Sequence, residues 1–154
     1  MSLNNLIYTI LFMEYLALLK NYLLIPVLLV QPYSWVLLRI IVGLIFFKHG
    51  FPKLKDLKGT ATMFDGMGFR PGHLWGTFVA LLEVVGGFAL VFGFLSQPFA
   101  LLFAIEMLVA TLMVKRKMGL VNGYEFDLIL LAACLAIFSG GSGVLSIDQA
   151  IFSY

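Results

Sequence analysis

The chain is poor in charged residues and almost without cysteine. Only 12% of its 154 residues are Asp, Glu, Lys or Arg, and the single cysteine, Cys134, lies inside an apolar run. One cysteine excludes an internal disulfide and a cysteine-rich metal site, and a free cysteine in an apolar run is usually a packing residue. The net charge of +2 comes from scattered basic residues. Nucleic-acid binding needs a dense basic face, so no nucleic-acid partner is expected.

Histidine is scarce as well. The two histidines, His49 and His73, are not spaced like metal ligands, and together with scattered carboxylates they are a weak signal for a metal site. We therefore expect no metal. Sequence motifs for haem, flavin or iron–sulfur ligation are missing too, so we expect no covalently bound cofactor. Electrons for any redox reaction would have to come from a partner protein.

Apolar residues, in contrast, make up 62% of the chain, and the mean hydropathy of +1.03 is that of an integral membrane protein. A spanning helix needs about 20 mostly apolar residues. Four segments come close to this length, namely residues 33–51, 74–95, 98–114 and 124–140. Lipid cannot satisfy unpaired backbone groups, and the segments lack strand alternation, so they are predicted to be helices. Short connections at 96–97 and 115–123 predict an all-α, up-down four-helix transmembrane bundle over residues 33–154.

Residues 1–32 form an N-terminal apolar extension outside this bundle. The stretch 6–30 contains Glu14, Lys20 and Pro26, and each charge would cost a position at the bilayer centre about 2.5–3.5 kcal/mol. The extension is predicted to be an extra apolar helix, either interfacial or a fifth span. No secretory signal is evident, and both Met1 and Met13 stay open as the natural start.

Basic residues follow the first and third predicted spans, whereas the tail 139–154 has Asp148 as its single charge. The positive-inside rule therefore predicts a multi-pass protein of the cell membrane with its basic connections in the cytoplasm. The segment 60–73 mixes aromatic, methionine and charged residues. It is either an amphipathic connector at the membrane interface or a lid over a cavity facing the cytoplasm.

Small residues predict where the helices touch, because lipid gives no hydrophobic reward for helix association and close packing must supply it. Three helix faces combine small and ionisable or apolar residues at steps of three and four. In chain order they are Arg39, Gly43, Phe46 and Gly50; Gly76, Ala80, Glu83, Gly87 and Leu90; and Ala132, Ala136 and Gly140. All three faces are expected to point into the bundle.

Ionisable residues at membrane depth are costly, and each is a candidate functional residue. Arg39, Glu83 and Glu106 form a middle layer. In a structural interpretation, Arg39 contacts Glu83 or Glu106 and holds the helices in register. In a functional interpretation, two glutamates facing one arginine share a proton and form a ligand or proton site.

A second layer is predicted nearer the cytoplasm. His49 could hydrogen-bond a polar ligand headgroup, with Lys53 beside it. Glu125 and Asp127 either belong to this layer or are simply acids favoured at a helix N-terminus. The candidate ligand or proton site therefore comprises Arg39, His49, Lys53, Glu83, Glu106 and Glu125.

These residues belong to short motifs whose order and spacing resemble the DoxX family from about Trp35 to Ile151. The motifs are Arg39-x9-His49-Gly50-x2-Lys53, Glu83-x2-Gly86-Gly87 with Leu90 and Gly93, Glu106-Met107-x2-Ala110, Gly123-Tyr124-Glu125 and Gly143-x2-Ser146-Ile147-Asp148. The resemblance implies a four-helix prokaryotic membrane protein. It also implies an association with oxidoreductase systems, including thiosulfate oxidation coupled to quinone and complexes that defend against oxidative stress.

The family is similar in architecture to membrane thiol oxidoreductases that use quinones, but those need a cysteine pair and Cys134 stands alone. The resemblance thus favours a subunit or partner of a membrane oxidoreductase system handling quinone or small sulfur species, without thiol chemistry of its own. At most the chain is a quinone-linked subunit that needs a redox partner protein. The alternative is a non-catalytic scaffold, small-molecule binding or transport protein. Expected partners are the lipid bilayer, the redox protein and a second copy of the chain.

Overall fold

The computed structural model describes residues 3–152, which form helices and no strand. The chain divides into two compact units, Met1–Ser34 and Trp35–Tyr154. The described part of the first unit, residues 3–34, is helical, and its residues 6–31 are exposed. The extra N-terminal apolar helix is therefore confirmed as a helix. Its placement, interfacial or spanning, stays a prediction.

Seven α-helices make up the described chain. They are α1 (Leu3–Lys55), α2 (Leu57–Gly66), α3 (Gly72–Leu81), α4 (Gly87–Phe92), α5 (Ser96–Val109), α6 (Glu125–Gly140) and α7 (Ile147–Phe152). A π-helical turn, Leu82–Gly86, joins α3 to α4, and a second π-helical segment, Ala110–Lys115, extends α5. Between Lys115 and α6 the chain passes through a short 3-10 turn and a kinked segment, Leu120–Tyr124.

Four helical stretches of the described residues are long and apolar enough to cross a membrane, which confirms the predicted fold class. They are Leu6–Lys55, Gly72–Phe92, Ser96–Met118 and Leu120–Gly140. The predicted segment 60–73 is partly helical, because its first residues belong to α2. This helix begins one residue after Asp56, whose carboxylate accepts a hydrogen bond of 2.9 Å from the amide of Gly59. An N-terminal cap of this kind satisfies amide groups that have no partner within the helix.

The close approach predicted for the first two spans is present in the second unit. Both predicted faces are buried, and a Cβ atom added to Gly43 would lie 2.6 Å from the carbonyl oxygen of Gly87. The backbones therefore touch, which only a residue without a side chain permits. Phe46 fills the adjoining core, where its ring stacks on that of Phe103 with 3.7 Å between the centroids.

The face predicted for the last span is wrong. Ala132 and Gly140 are exposed and Ala136 is half-buried, whereas the buried residues of α6 are Asp127, Leu130, Cys134 and Ile137. The reason is that α6 meets the core through larger apolar side chains and not through its backbone. The buried position of Cys134 agrees with its interpretation as a packing residue.

Candidate functional site

One ion pair of the second unit joins Lys53 and Glu83. Nζ of Lys53 lies 2.6 Å from Oε2 of Glu83, whose side chain is only 3% exposed. Glu83 belongs to the π-helical turn between α3 and α4, a local irregularity that is frequent at functional sites. Gly50 makes room for it, because a Cβ atom at this position would lie 2.5 Å from Cβ of Glu83. The sequence thus places a paired carboxylate in the interior of the bundle.

Glu106, on α5, completes this cluster. Its carboxyl group lies near that of Glu83, and it experiences the charges of both Glu83 and Lys53. Oε2 of Glu106 is buried and has no hydrogen-bond partner among the described residues. Two carboxyl groups therefore lie near one lysine, and only Glu83 forms an ion pair with it. We call Lys53, Glu83 and Glu106 the carboxylate cluster.

The predicted contact of Arg39 with Glu83 or Glu106 is wrong, because Arg39 lies outside the carboxylate cluster. The guanidinium group is buried and donates hydrogen bonds to the backbone carbonyls of Ser142, at 3.0 Å, and Leu145. The glycine at position 93 leaves the space for it, since a Cβ atom there would overlap Nη1 of Arg39. Backbone carbonyls of the C-terminal tail therefore accept the hydrogen bonds of the guanidinium group in place of a glutamate. Helix periodicity could not predict this contact, because it gives no information about the position of the tail.

Asp148 lies near Arg39, and we call these two residues the Arg39–Asp148 cluster. Its carboxylate accepts hydrogen bonds from the amides of Leu95, at 2.6 Å, and Ser96, at 2.9 Å, and its own amide donates to the carbonyl of Gly93. Its charge also acts on Arg39. The connection between the second and third spans is therefore 93–95, and not the predicted 96–97, because the capped amide of Ser96 already begins α5.

The remaining predicted site residues are apart from the carboxylate cluster. His49 is exposed and its ring lies 6.3 Å from that of Phe126. Glu125 accepts a hydrogen bond of 3.1 Å from the amide of Asn122, which fits the interpretation of an acid near a helix N-terminus. Of the six predicted residues, the structure brings together Lys53, Glu83 and Glu106 and leaves Arg39, His49 and Glu125 outside this group.

Two further polar contacts were not predicted from the sequence. The first joins Asp148 to the amides of Leu95 and Ser96, and the motif of Gly143, Ser146 and Asp148 could have indicated a structured turn. The second contact is an ion pair of 2.8 Å between Lys115 and the buried Asp127. The only sign of this ion pair in the sequence is that its two opposite charges lie at the two ends of the connection between the third and fourth spans. Among the described residues, no group of three or more His, Cys, Asp and Glu side chains could hold a metal ion.

Comparisons with known proteins agree with this architecture. The DoxX family model matches residues 34–116, a range that includes Arg39 and the whole carboxylate cluster. "Putative oxidoreductase CatD" of Bacillus subtilis (strain 168) is 33% identical over 116 residues, covering 75% of this chain and 85% of the relative. "Inner membrane protein YqjF" of Escherichia coli (strain K12) is 33% identical over 114 residues, covering 72% and 86%. No solved structure matches the chain.

The family match covers more than half of the chain and includes three of its four predicted spans. The relatives add similarity along most of their own length, and two of those found are named as inner membrane proteins. Together with the four apolar helices, these matches show a membrane protein. The chain therefore belongs to the DoxX family.

Proposed function

We propose that this protein is a subunit or partner of a membrane oxidoreductase system and that its carboxylate cluster binds the polar end of a quinone or a small sulfur species. The observation behind this proposal is the buried Oε2 of Glu106, which has no hydrogen-bond partner among the described residues and lies beside the Lys53–Glu83 pair. A buried polar atom without a partner is costly. A transferred proton would satisfy it, and the resulting O–H group could donate a hydrogen bond to a quinone carbonyl or to an oxygen atom of a small sulfur species.

The cluster suits proton exchange more than electron transfer. Carboxyl groups near a lysine are suitable proton donors and acceptors, and reduction of a quinone takes up protons as well as electrons. No ligand set for a redox group is recognisable in the sequence, so the electrons come from a partner protein of the same membrane. The name of CatD supports a redox role, although it indicates no substrate.

A second candidate function is non-catalytic, as a scaffold, small-molecule binding or transport protein. The observation that favours it is the complete pairing of Lys53 with Glu83 at 2.6 Å. A paired buried charge can fix the register of helices without any chemistry. The two candidate functions differ in the role of Oε2 of Glu106, the atom without a hydrogen-bond partner among the described residues.

Substitution of each glutamate by glutamine separates these candidates, because it keeps the shape of the side chain and removes its charge. Glu106→Gln and Glu83→Gln are purified, checked for folding by thermal unfolding, and titrated with a soluble ubiquinone analogue and with thiosulfate. The matched control is Glu125→Gln, which changes an acid outside the cluster.

The proposal expects folded Glu106→Gln protein with binding weakened by a factor of about 10 to 150, the effect of one lost hydrogen bond to a charged group of about 1.5–3 kcal/mol. Glu125→Gln should bind like the parent. If the parent binds neither probe, or if Glu106→Gln binds as tightly as the parent, the site proposal is wrong and the scaffold function replaces it.

A further inference from the structure

A second surface feature of the bundle lies away from the carboxylate cluster. It is an open groove of about 410 Å³ between α1 and α6, lined by Ile41, Leu44, Ile45, Lys48, His49 and Phe126. Small-molecule sites in proteins have volumes of about 300–1,000 Å³. We call this feature the α1–α6 groove.

The groove faces lipid and not the bundle interior. Its residues on α1 follow steps of three and four, from Ile41 to Leu44 and Ile45 and then to Lys48 and His49, so they occupy one face of the helix. The buried face of α1 consists of other residues, such as Gly43 and Phe46. Ile41 and Leu44 are 47% and 50% exposed. A ligand in this groove would therefore come from the bilayer.

The groove is polar at one end only. Lys48 lies seven residues after Ile41, which corresponds to about 10 Å along a helix, and both Lys48 and His49 lie toward the end of α1 that precedes the basic connection. The other lining residues are apolar. This arrangement fits an amphiphile whose chain lies along the isoleucines and leucine and whose headgroup lies at the basic end.

Among the described residues, no acidic side chain forms an ion pair with the basic end of the groove. In the part of the chain that the structure describes, the ion pairs are Lys53–Glu83 and Lys115–Asp127, and Lys48 belongs to neither. The acids on either side of Phe126 are engaged too, since Asp127 pairs with Lys115 and Glu125 accepts a hydrogen bond from Asn122. Lys48 is therefore available for an anionic group, and His49 can donate a hydrogen bond to the same group.

From this combination we propose that the α1–α6 groove binds one anionic phospholipid. The phosphate contacts Lys48 and His49, and an acyl chain packs on Ile41, Leu44 and Phe126. Basic pockets between spanning helices at the membrane surface are recognised sites for anionic lipid headgroups. The proposal goes beyond the proposed function, because the groove includes no member of the carboxylate cluster.

Native mass spectrometry of the full chain tests this site, with phosphatidylglycerol and phosphatidylcholine as the two added lipids. The parent should retain phosphatidylglycerol in preference to phosphatidylcholine. Lys48→Gln should weaken this retention about fivefold, the contribution of one basic residue near an anionic membrane surface. Lys58→Gln is the matched control, since it removes an exposed lysine of α2 outside the groove.

A second variant tests the groove itself. Leu44→Trp places a larger ring in the groove without changing any charge, and Leu44 is exposed enough to be replaced without disturbing the core. It should also lose phosphatidylglycerol. Equal losses in Lys48→Gln and Lys58→Gln would show a general charge effect and overturn the proposal. Full retention by Leu44→Trp, or displacement of the phospholipid by an added quinone, would overturn it as well, while leaving the carboxylate cluster untested by this experiment.

Discussion

Lys53 and Glu83 connect the end of α1 to the π-helical turn between α3 and α4 through a contact of 2.6 Å. The lysine is 23% exposed and the glutamate 3% exposed, so the pair lies at the border between the bundle interior and its surroundings. Removing two charges from water is costly, and the cost is offset only when both partners stay together. The pair is therefore more sensitive to the loss of one partner than to the loss of both.

We predict that Lys53→Met lowers the free energy of unfolding by up to about 3–5 kcal/mol, because it leaves the Glu83 carboxylate buried without its partner. The double variant Lys53→Met with Glu83→Gln should recover most of this loss. Thermal unfolding of the four proteins of the double-mutant cycle in one detergent measures the coupling. Additive losses in the double variant would show that the two side chains do not stabilise each other.

The contact between Gly43 and Gly87 gives a prediction about packing. Gly43→Val should lower the free energy of unfolding by about 1–3 kcal/mol, the usual cost of overpacking, because its side chain would meet the backbone of Gly87. Gly66→Ala is the control, since a Cβ atom at this position has no neighbour within 4 Å. The melting temperatures should differ clearly between the two variants. Equal melting temperatures would contradict the close approach of the two helices.

The hydrogen bonds of Asp148 predict that this residue stabilises the start of α5. Asp148→Ala removes both acceptors of the Leu95 and Ser96 amides and should cost about 0.5–2 kcal/mol, as the loss of a helix cap does. Asp148→Asn keeps one acceptor and should cost less. Limited proteolysis of the tail, together with thermal unfolding, measures the effect. An alanine variant as stable and as resistant as the asparagine variant would exclude the capping role.

The orientation in the membrane is predicted from the basic connections and can be tested by cysteine labelling. The parent is a suitable background, because Cys134 is fully buried and should not react. Lys117→Cys should be protected from an impermeant reagent in intact cells and react after lysis, since we place this connection in the cytoplasm. Leu145→Cys, at an exposed tail position, should react in both conditions. The reverse pattern would invert the topology.

Composition and periodicity were sufficient for the membrane fold. Long apolar segments need no information from distant residues, because lipid forces each of them to satisfy its own backbone hydrogen bonds as a helix. The burial of Glu83 and of Gly87 was predicted for a different reason, because a face of small residues on a spanning helix usually marks close contact with another helix. The family membership was also recognisable from motif order alone.

The partners of the buried charges were decided only by the tertiary structure. Helix periodicity gives the depth and face of Arg39 but not the position of the tail, whose carbonyls at Ser142 and Leu145 satisfy the guanidinium group. Once the tail holds Arg39, Lys53 is the base that pairs with Glu83. A buried charge takes whichever partner the packed chain brings within hydrogen-bonding distance, and that distance depends on contacts between residues far apart in the sequence.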